Sequence, residues 1–257
     1  MDLNKKKGKN SIPPALPKEK NRKKTSGARR YAKRSGESLS PRVIKKFQTT
    51  ILQHYEKYGR SLPWRTTNGP YCISVSGVML QQTQVEGVKE KFEHFVSLFP
   101  DFFLLPARHF KKCSRHGLDW DITAALLRLK KTAELVVKQW KGKLPTSEKE
   151  LLALPGIGNY TAAALSVFAF NRPVVLLETN IRAVFIHFFF FDRDEVNDQE
   201  IIPLIEKTLD RSHPRQWYNA LMDYGARLKK TLPNPGRRSA TTPDRAALQA
   251  QTGISED

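Results

Sequence analysis

A glycine-rich turn between two helix patterns is the segment with the clearest chemical potential. Residues 154–161 read LPGIGNYT, with leucine-rich helix turns before them and the alanine-rich start of another helix after them. Gly156 and Gly158 permit positive φ and a backbone without Cβ atoms, so the N–H groups that begin the second helix can approach a phosphate. Ile157 is expected to point inward and pin the two helices together. The pattern indicates a sequence-independent grip on a nucleic-acid backbone; for Gly-x-Gly alone, an ordinary helix–helix turn is the alternative.

An acidic residue opens the next helix pattern. Glu178 begins the segment ETNIR (178–182) and follows a loop that contains Pro173. The partial positive charge at a helix N-terminus keeps such a carboxylate ionised. An ionised carboxylate can stabilise a positive charge that develops during a reaction. The alternative is an acid that only caps the helix.

Three glutamines in four residues follow an apolar run. The segment MLQQTQ (79–84) contains Gln81, Gln82 and Thr83. A planar amide can slide between base pairs and hydrogen-bond to base edges at the same time. Such a segment can form a wedge that enters DNA, whereas the same residues taken singly are more typical of an exposed polar turn; the family resemblance described below favours the wedge.

Apolar residues recur at helical spacing through most of the chain. Four-residue steps from Val43 to Tyr55 predict a first helix, which Gly59 ends. Further helix patterns cover residues 73–81, 85–98, 122–139, 147–153, 159–170, 178–190, 198–209 and 214–228. Alternating strand patterns are scarce, so the sequence predicts an all-α fold.

Charge and composition divide the chain into three parts. Residues 1–42 hold 14 Lys and Arg against three acids, a net charge of +11 out of +19 for the whole chain, and they are expected to form a disordered basic arm. This arm either tethers DNA or only solubilises the protein. Residues 43–232 carry the helix patterns and form the expected folded domain, and residues 233–257 form a loose polar tail. The charge favours a polyanionic partner, although a ribosomal or membrane-surface protein would show the same excess.

Cysteine usage and hydropathy limit the compartment. The two isolated cysteines, Cys72 and Cys113, provide neither a disulfide framework nor a metal cluster, which favours a reducing intracellular location. No apolar run approaches the roughly 18 residues needed to span a bilayer, and the first residues lead into no apolar signal region. We therefore expect a protein of the cytoplasm and nucleoid, or of the nucleus in a eukaryote.

Four segments together resemble a known family. LPGIGNYTAAA is similar to the hairpin of the helix-hairpin-helix DNA glycosylase superfamily. The segments LPWR (62–65), PYCISVSGVMLQQTQV (70–85) and WYNALMDYGA (217–226) resemble the adenine DNA glycosylases of the MutY type, which remove adenine mispaired with guanine or 8-oxoguanine. The resemblance covers roughly residues 45 to 230 and implies an all-α fold of two helical lobes.

The resemblance also implies roles for particular residues. Glu178 takes the place of the family's catalytic aspartate and would stabilise an oxocarbenium-like sugar, with Tyr160 and Asn180 in support. Tyrosine at position 160 stands where related enzymes that cleave the strand carry a nucleophilic lysine, so the lyase route is expected to be closed. The expected DNA-binding set is Gln81, Gln82, Thr83, Gly156, Ile157, Gly158, Tyr160, Thr161 and Arg65.

Two departures from the family bear on activity. Gly77 occupies the place of the glutamate that protonates adenine, and general acid catalysis typically contributes about 10²–10⁴-fold to a rate. After Gly225 the sequence contains no cysteine, where the family usually binds an iron–sulfur cluster. We therefore expect no metal and no other cofactor.

Three hypotheses follow. The first is a monofunctional, cluster-free DNA glycosylase that acts on adenine opposite guanine or 8-oxoguanine. The second is an enzyme of the same fold that removes thymine or uracil opposite guanine, which the missing acid at Gly77 favours. The third is a catalytically impaired protein that binds mismatches. In each case the expected partner is duplex DNA with a mismatch or lesion. The protein is expected to be a monomer that does not associate with a membrane.

Overall fold

The computed structural model describes residues 39–67, 69–80, 85–107, 123–190, 193 and 195–232. Its helices are α1 (Pro41–Tyr58), α2 (Pro70–Met79), α3 (Val85–Leu98), α4 (Leu104–Ala107), α5 (Thr123–Trp140), α6 (Glu148–Leu152), α7 (Asn159–Phe168), α8 (Thr179–Phe189), α9 (Asp198–Thr208) and α10 (Pro214–Thr231). No strand occurs in these ranges, which confirms the predicted all-α class. The expected tail and all but the last four residues of the expected arm lie outside them, and none of the described helices has the length and apolarity of a bilayer-spanning segment.

Helix starts explain most differences from the predicted boundaries. The helix expected over residues 73–81 covers Pro70–Met79. It begins earlier than expected because the fixed φ of proline suits the first helical position. Helix α1 likewise begins at Pro41, two residues before the expected domain start. The short helix α4 and a 3-10 helix at Pro63–Arg65 are too short to produce a periodic pattern in the sequence.

Two separate apolar cores define the two lobes. The first core contains buried side chains from α2 to α6, and the second contains side chains from α1, α8, α9 and α10. Phe47 lies at the centre of the second core and makes edge-to-face contacts with Phe185, Phe188, Phe189 and Trp217. These contacts explain why α1, although distant in sequence, folds with the C-terminal helices.

Helix α7 belongs to both lobes. Its buried residues Ala162 and Leu165 lie in the first core, whereas Val167 lies in the second. Phe168 packs against both. The helix that follows the glycine-rich turn therefore joins the lobes along the line where they meet.

A buried ion pair ties α10 to the turn after α1. The side chain of Asp223 is 1% exposed, and both of its oxygens accept hydrogen bonds from Arg65, at 2.8 Å each. Arg60 adds its backbone N–H at 2.7 Å and its Nε at 2.6 Å. The side chain of Arg65 is 10% exposed and its guanidinium binds Asp223, so Arg65 has a structural role, and its expected contact with DNA stays a prediction.

An Asp223→Asn variant is expected to lose about 3–5 kcal/mol of unfolding free energy at neutral pH, since two guanidinium groups would face a neutral amide. Burial by itself raises the pKa of Asp223, but the hydrogen bonds and charges of Arg65 and Arg60 outweigh burial and hold this pKa below its ordinary value. A carboxyl with a lowered folded pKa stabilises the fold above its unfolded pKa and loses that contribution as the pH falls.

The difference between wild type and Asp223→Asn in urea unfolding should therefore be largest near neutral pH. It should shrink below about pH 4, where the carboxyl of the unfolded chain becomes protonated. A difference of equal size at about pH 7 and about pH 3 would contradict this account.

Candidate active site

A cavity of about 500 Å³ opens between the two lobes. The first lobe lines the cavity with α2, the turn before it and the start of α3. The second lobe lines it with the start of α8 and one face of α10. Helix α7, which belongs to both lobes, also lines it. The cavity brings together Tyr160, Glu178 and Asn180, which the sequence predicted as one site. Thr161 and Gly77 also line it.

Glu178 is the N-cap of α8 and is held by its own helix. Its Oε1 accepts the backbone N–H groups of Asn180 and Ile181 at 2.8 and 2.9 Å, and its Oε2 accepts the side-chain amide of Asn180 at 3.1 Å. Glu178 therefore caps the helix, and the same bonds fix its carboxylate at the cavity wall, whereas its expected catalytic role stays a prediction. A carboxylate fixed in this way can stabilise a cation without first reorganising.

Tyr160 lies beside this carboxylate with its side chain partly exposed. Burial and, to a smaller extent, the negative charge of Glu178 together raise its pKa to about 12. The phenol therefore stays protonated at neutral pH and can donate a hydrogen bond into the cavity. It is not suited to act as a base or as a nucleophile.

The two glycines of the hairpin turn differ in backbone conformation and in the space around them. Gly156 has φ +78°, and a Cβ there would also lie 3.0 Å from Cδ of Arg128. Gly158, in contrast, has φ −90° and ψ −179°, and a Cβ there would meet no atom within 4 Å. Of the two glycines that permit a positive φ, only Gly156 adopts one, and Gly158 leaves open space in front of the helix.

The turn is supported from behind and open in front. Thr132 of α5 donates a hydrogen bond to the carbonyl of Pro155 at 2.7 Å, and the half-buried Ile157 packs against the first core, as expected. No side chain caps the N-terminus of α7, whereas Glu178 caps that of α8. The first N–H groups of α7 thus remain available to an anion.

Gly77 faces the cavity without crowding. A Cβ at this position would meet no atom within 4 Å. Besides Glu178, the carboxyl on the cavity wall is that of Glu86, and its hydrogen bond with Lys89 lowers its pKa. Within the described residues, Glu178 and Glu86 are thus the acidic side chains that line the cavity, and neither belongs to α2, which carries Gly77.

Asn219 is a cavity residue that the sequence analysis missed. It lies on α10, is 8% exposed, and its side-chain amide makes no hydrogen bond to any other residue that the structure describes. Its amide lines the cavity, where it can donate and accept hydrogen bonds. The motif WYNALMDYGA contained the signal, since Asn219, Met222 and Ala226 fall on one helix face.

Gly225 allows α10 to lie directly on the start of α8. A Cβ at this position would lie 2.2 Å from the backbone oxygen of Asn180, so no side chain fits. The contact sets the distance between α10 and the turn that carries Glu178.

The DNA wedge expected at residues 81–83 and the expected absence of a metal stay predictions. Gln81, Gln82 and Thr83 lie outside the described residues, although their neighbours Leu80 and Val85 both line the cavity. In the part of the chain that is described, no three His, Cys, Asp or Glu side chains come together as a metal site.

Comparison with known proteins identifies relatives of two activities. No family model matches the chain. The chain is 33% identical over 187 residues to an adenine DNA glycosylase of Buchnera aphidicola, which covers 70% of this chain and 52% of the relative. It is 28% identical over 188 residues to a thymine/uracil-DNA glycosylase of Methanothermobacter thermautotrophicus, which covers 71% and 84%. The chain thus spans about half the length of the Buchnera adenine DNA glycosylases that it matches.

Solved structures agree on the fold. A thermostable thymine-DNA glycosylase superposes with a TM-score of 0.64 at 25% identity, over 71% of this chain and 86% of that one. Endonuclease III trapped on DNA superposes with a TM-score of 0.54 at 17% identity, over 75% and 87%. The second likeness bears on the fold alone.

Proposed function

We propose, from the premise that the chain belongs to the helix-hairpin-helix DNA glycosylase superfamily, that it hydrolyses the N-glycosidic bond of a mispaired base flipped out of duplex DNA. The observation that carries this proposal is the Glu178 carboxylate, which is fixed on the wall of a cavity between the lobes. The cavity volume of about 500 Å³ is of the size that small-molecule sites have. The open start of α7 lines the same cavity through Tyr160 and Thr161.

In the proposed reaction, the N–H groups at the start of α7 hold a backbone phosphate while the target nucleotide leaves the stack. This extrusion costs a few kcal/mol, and the wedge proposed at Gln81, Gln82 and Thr83 would offset part of the cost. As the glycosidic bond breaks, Glu178 stabilises the oxocarbenium-like sugar and, with Asn180, orients the attacking water. The protonated Tyr160 donates a hydrogen bond, and no residue in this set forms a Schiff base. The proposed chemistry uses no metal or other cofactor.

Two bases are candidates for removal. Adenine opposite guanine or 8-oxoguanine is the first, supported by the 33% identity to an adenine DNA glycosylase. Thymine or uracil opposite guanine is the second, favoured by Gly77, since a pyrimidine that leaves as an anion needs no protonation at a ring nitrogen. The amide of Asn219 suits either base, because it both donates and accepts.

A single-turnover assay tests the proposal. Purified full-length protein in excess would be incubated with labelled duplexes that carry A:8-oxoguanine, A:G, G:T or G:U, and then treated with alkali to cleave at abasic sites. We expect excision from one class of duplex and no strand cleavage before alkali. Binding of about micromolar or better strength without any excision would instead identify a mismatch-binding protein.

A Gly158→Ala variant tests the hairpin contact. The added methyl group enters open space in the free protein, so the unfolding free energy should change by less than about 1 kcal/mol. The same methyl group would occupy the space that a phosphate needs, and affinity for a non-cleavable duplex, measured by fluorescence anisotropy, should fall about tenfold.

Gly156→Ala is the contrasting variant. It should lower stability by about 1–2 kcal/mol, because it combines a positive φ with a contact to Arg128. Unchanged DNA affinity in Gly158→Ala would show that the phosphate binds elsewhere.

A further inference from the structure

A chain of hydrogen bonds reaches the Glu178 carboxylate from α10. The Nζ of Lys229 donates to Oγ1 of Thr179 at 2.6 Å, and Oγ1 of Thr179 lies 3.3 Å from Oε2 of Glu178. An ammonium group can only donate, so the Thr179 hydroxyl accepts from Lys229 and directs its own hydrogen toward Oε2. The order of the chain is therefore fixed by the chemistry of its three members.

Helix α10 approaches this turn at two points. Gly225 and Lys229 are four residues apart and lie on the same face of the helix. The backbone of Gly225 rests on Asn180, where a Cβ would come within 2.2 Å of a backbone oxygen, and Lys229 reaches Thr179 one helical turn later. The two contacts hold the two residues that follow Glu178, so the position of the carboxylate depends on α10 as well as on α8.

The length of the Glu178 side chain explains why such a restraint is useful. A glutamate has one more rotatable bond than an aspartate, and a displacement of about 1 Å can cost about 10²-fold in rate. The helix start fixes Oε1 through two backbone N–H groups. Oε2, in contrast, is bound only by side chains, those of Asn180 and Thr179.

We propose that Lys229 and Thr179 are positioning residues that fix Oε2 of Glu178 toward the cavity. The inference rests on the proposed function, since it presumes that Glu178 acts on the sugar. The ammonium group polarises the hydroxyl and so strengthens the bond from the hydroxyl to the carboxylate. No direct ion pair joins Lys229 to Glu178 among the described residues, and Lys229 does not line the cavity. The cavity side of the carboxylate is therefore left for the cationic sugar.

A double-mutant cycle tests the proposal in the full-length protein. Thr179→Val removes the hydroxyl at constant shape, and Lys229→Met removes the charge at nearly constant length. We expect each variant to lower the excision rate about tenfold when the protein is saturating over DNA. The double variant should be no slower than either single variant, because all three break the same chain. Thr179→Ser should restore most of the rate.

Affinity separates positioning from DNA binding. The dissociation constant for a non-cleavable duplex should change in Lys229→Met by no more than it does in Lys207→Met, a matched control on the exposed surface of α9. A large loss of affinity with an unchanged rate at saturation would show that Lys229 contacts DNA, and would overturn the proposal. Multiplicative losses in the double variant, or full activity in both single variants, would overturn it too.

Melting temperatures are also measured for the four proteins of the cycle: the wild type, Thr179→Val, Lys229→Met and the double variant. A wild type that excises no base refutes the proposed function, and the bond chain is then judged by melting temperature alone. If the decreases in melting temperature of Thr179→Val and Lys229→Met do not add up in the double variant, the chain of hydrogen bonds is supported. Strictly additive decreases overturn it.

Discussion

Replacement of Glu178 by Gln is expected to reduce base excision on the order of 10³-fold at saturating protein. The amide keeps the size of the side chain, and its oxygen can still accept the N–H groups of Asn180 and Ile181. The negative charge is lost, however, and removal of a preorganised electrostatic group from an active site commonly costs about 10²–10³-fold. The measurement is the single-turnover rate on the duplex that the wild type cleaves best.

Binding and stability controls give this result its meaning. The affinity of Glu178→Gln for a non-cleavable duplex should stay within about threefold of the wild type, and its unfolding free energy should fall by no more than about 1 kcal/mol, the usual value of a charge at a helix N-terminus. Glu178→Asp keeps the charge and shortens the reach, so it should retain more activity than Glu178→Gln. Equal rates in Glu178→Gln and the wild type would remove Glu178 from the mechanism.

Introduction of a glutamate at position 77 is expected to raise adenine excision by about 10²-fold or more. The position faces the cavity, and a side chain can grow from it because no atom lies within 4 Å of a Cβ there. General acid catalysis typically contributes about 10²–10⁴-fold, and α2 carries no acidic side chain that could supply the proton. The measurement compares Gly77→Glu with the wild type on A:8-oxoguanine and A:G duplexes.

Gly77→Gln is the matched control. It has the same size and the same effect on α2 but no acidic proton, so it should not raise adenine excision. Excision of thymine or uracil should gain little from either variant, since protonation at a purine nitrogen is irrelevant to those bases. An increase of equal size in Gly77→Gln and Gly77→Glu would mean that the side chain fills space and does not transfer a proton.

Local patterns predicted the elements and the central part of the site. Helical periodicity and the hairpin glycines report on neighbours within a few residues, and most helices follow them closely. Glu178 was predicted from its place at a helix start, and the resemblance to the family added Tyr160 and Asn180. These are properties that a single stretch of sequence contains.

Features that depend on distant pairing could not be predicted in the same way. Arg65 looks like a free cation in the sequence, but its partner Asp223 lies 158 residues away. The contact between Lys229 and Thr179 spans 50 residues and exists only because Gly225 brings α10 against α8. Asn219 was overlooked for the same reason, since its place in the cavity depends on how one helix rotates against another.

The participation of α7 in both cores has a mechanical consequence for substrate choice. If one lobe swung relative to the other, the side chains that α7 gives to at least one core would have to leave their apolar surroundings. The width of the cavity between the lobes is therefore set when the protein folds. In the proposed reaction, a base would therefore be accepted or rejected by its fit to a preformed cavity, at the step in which the nucleotide enters.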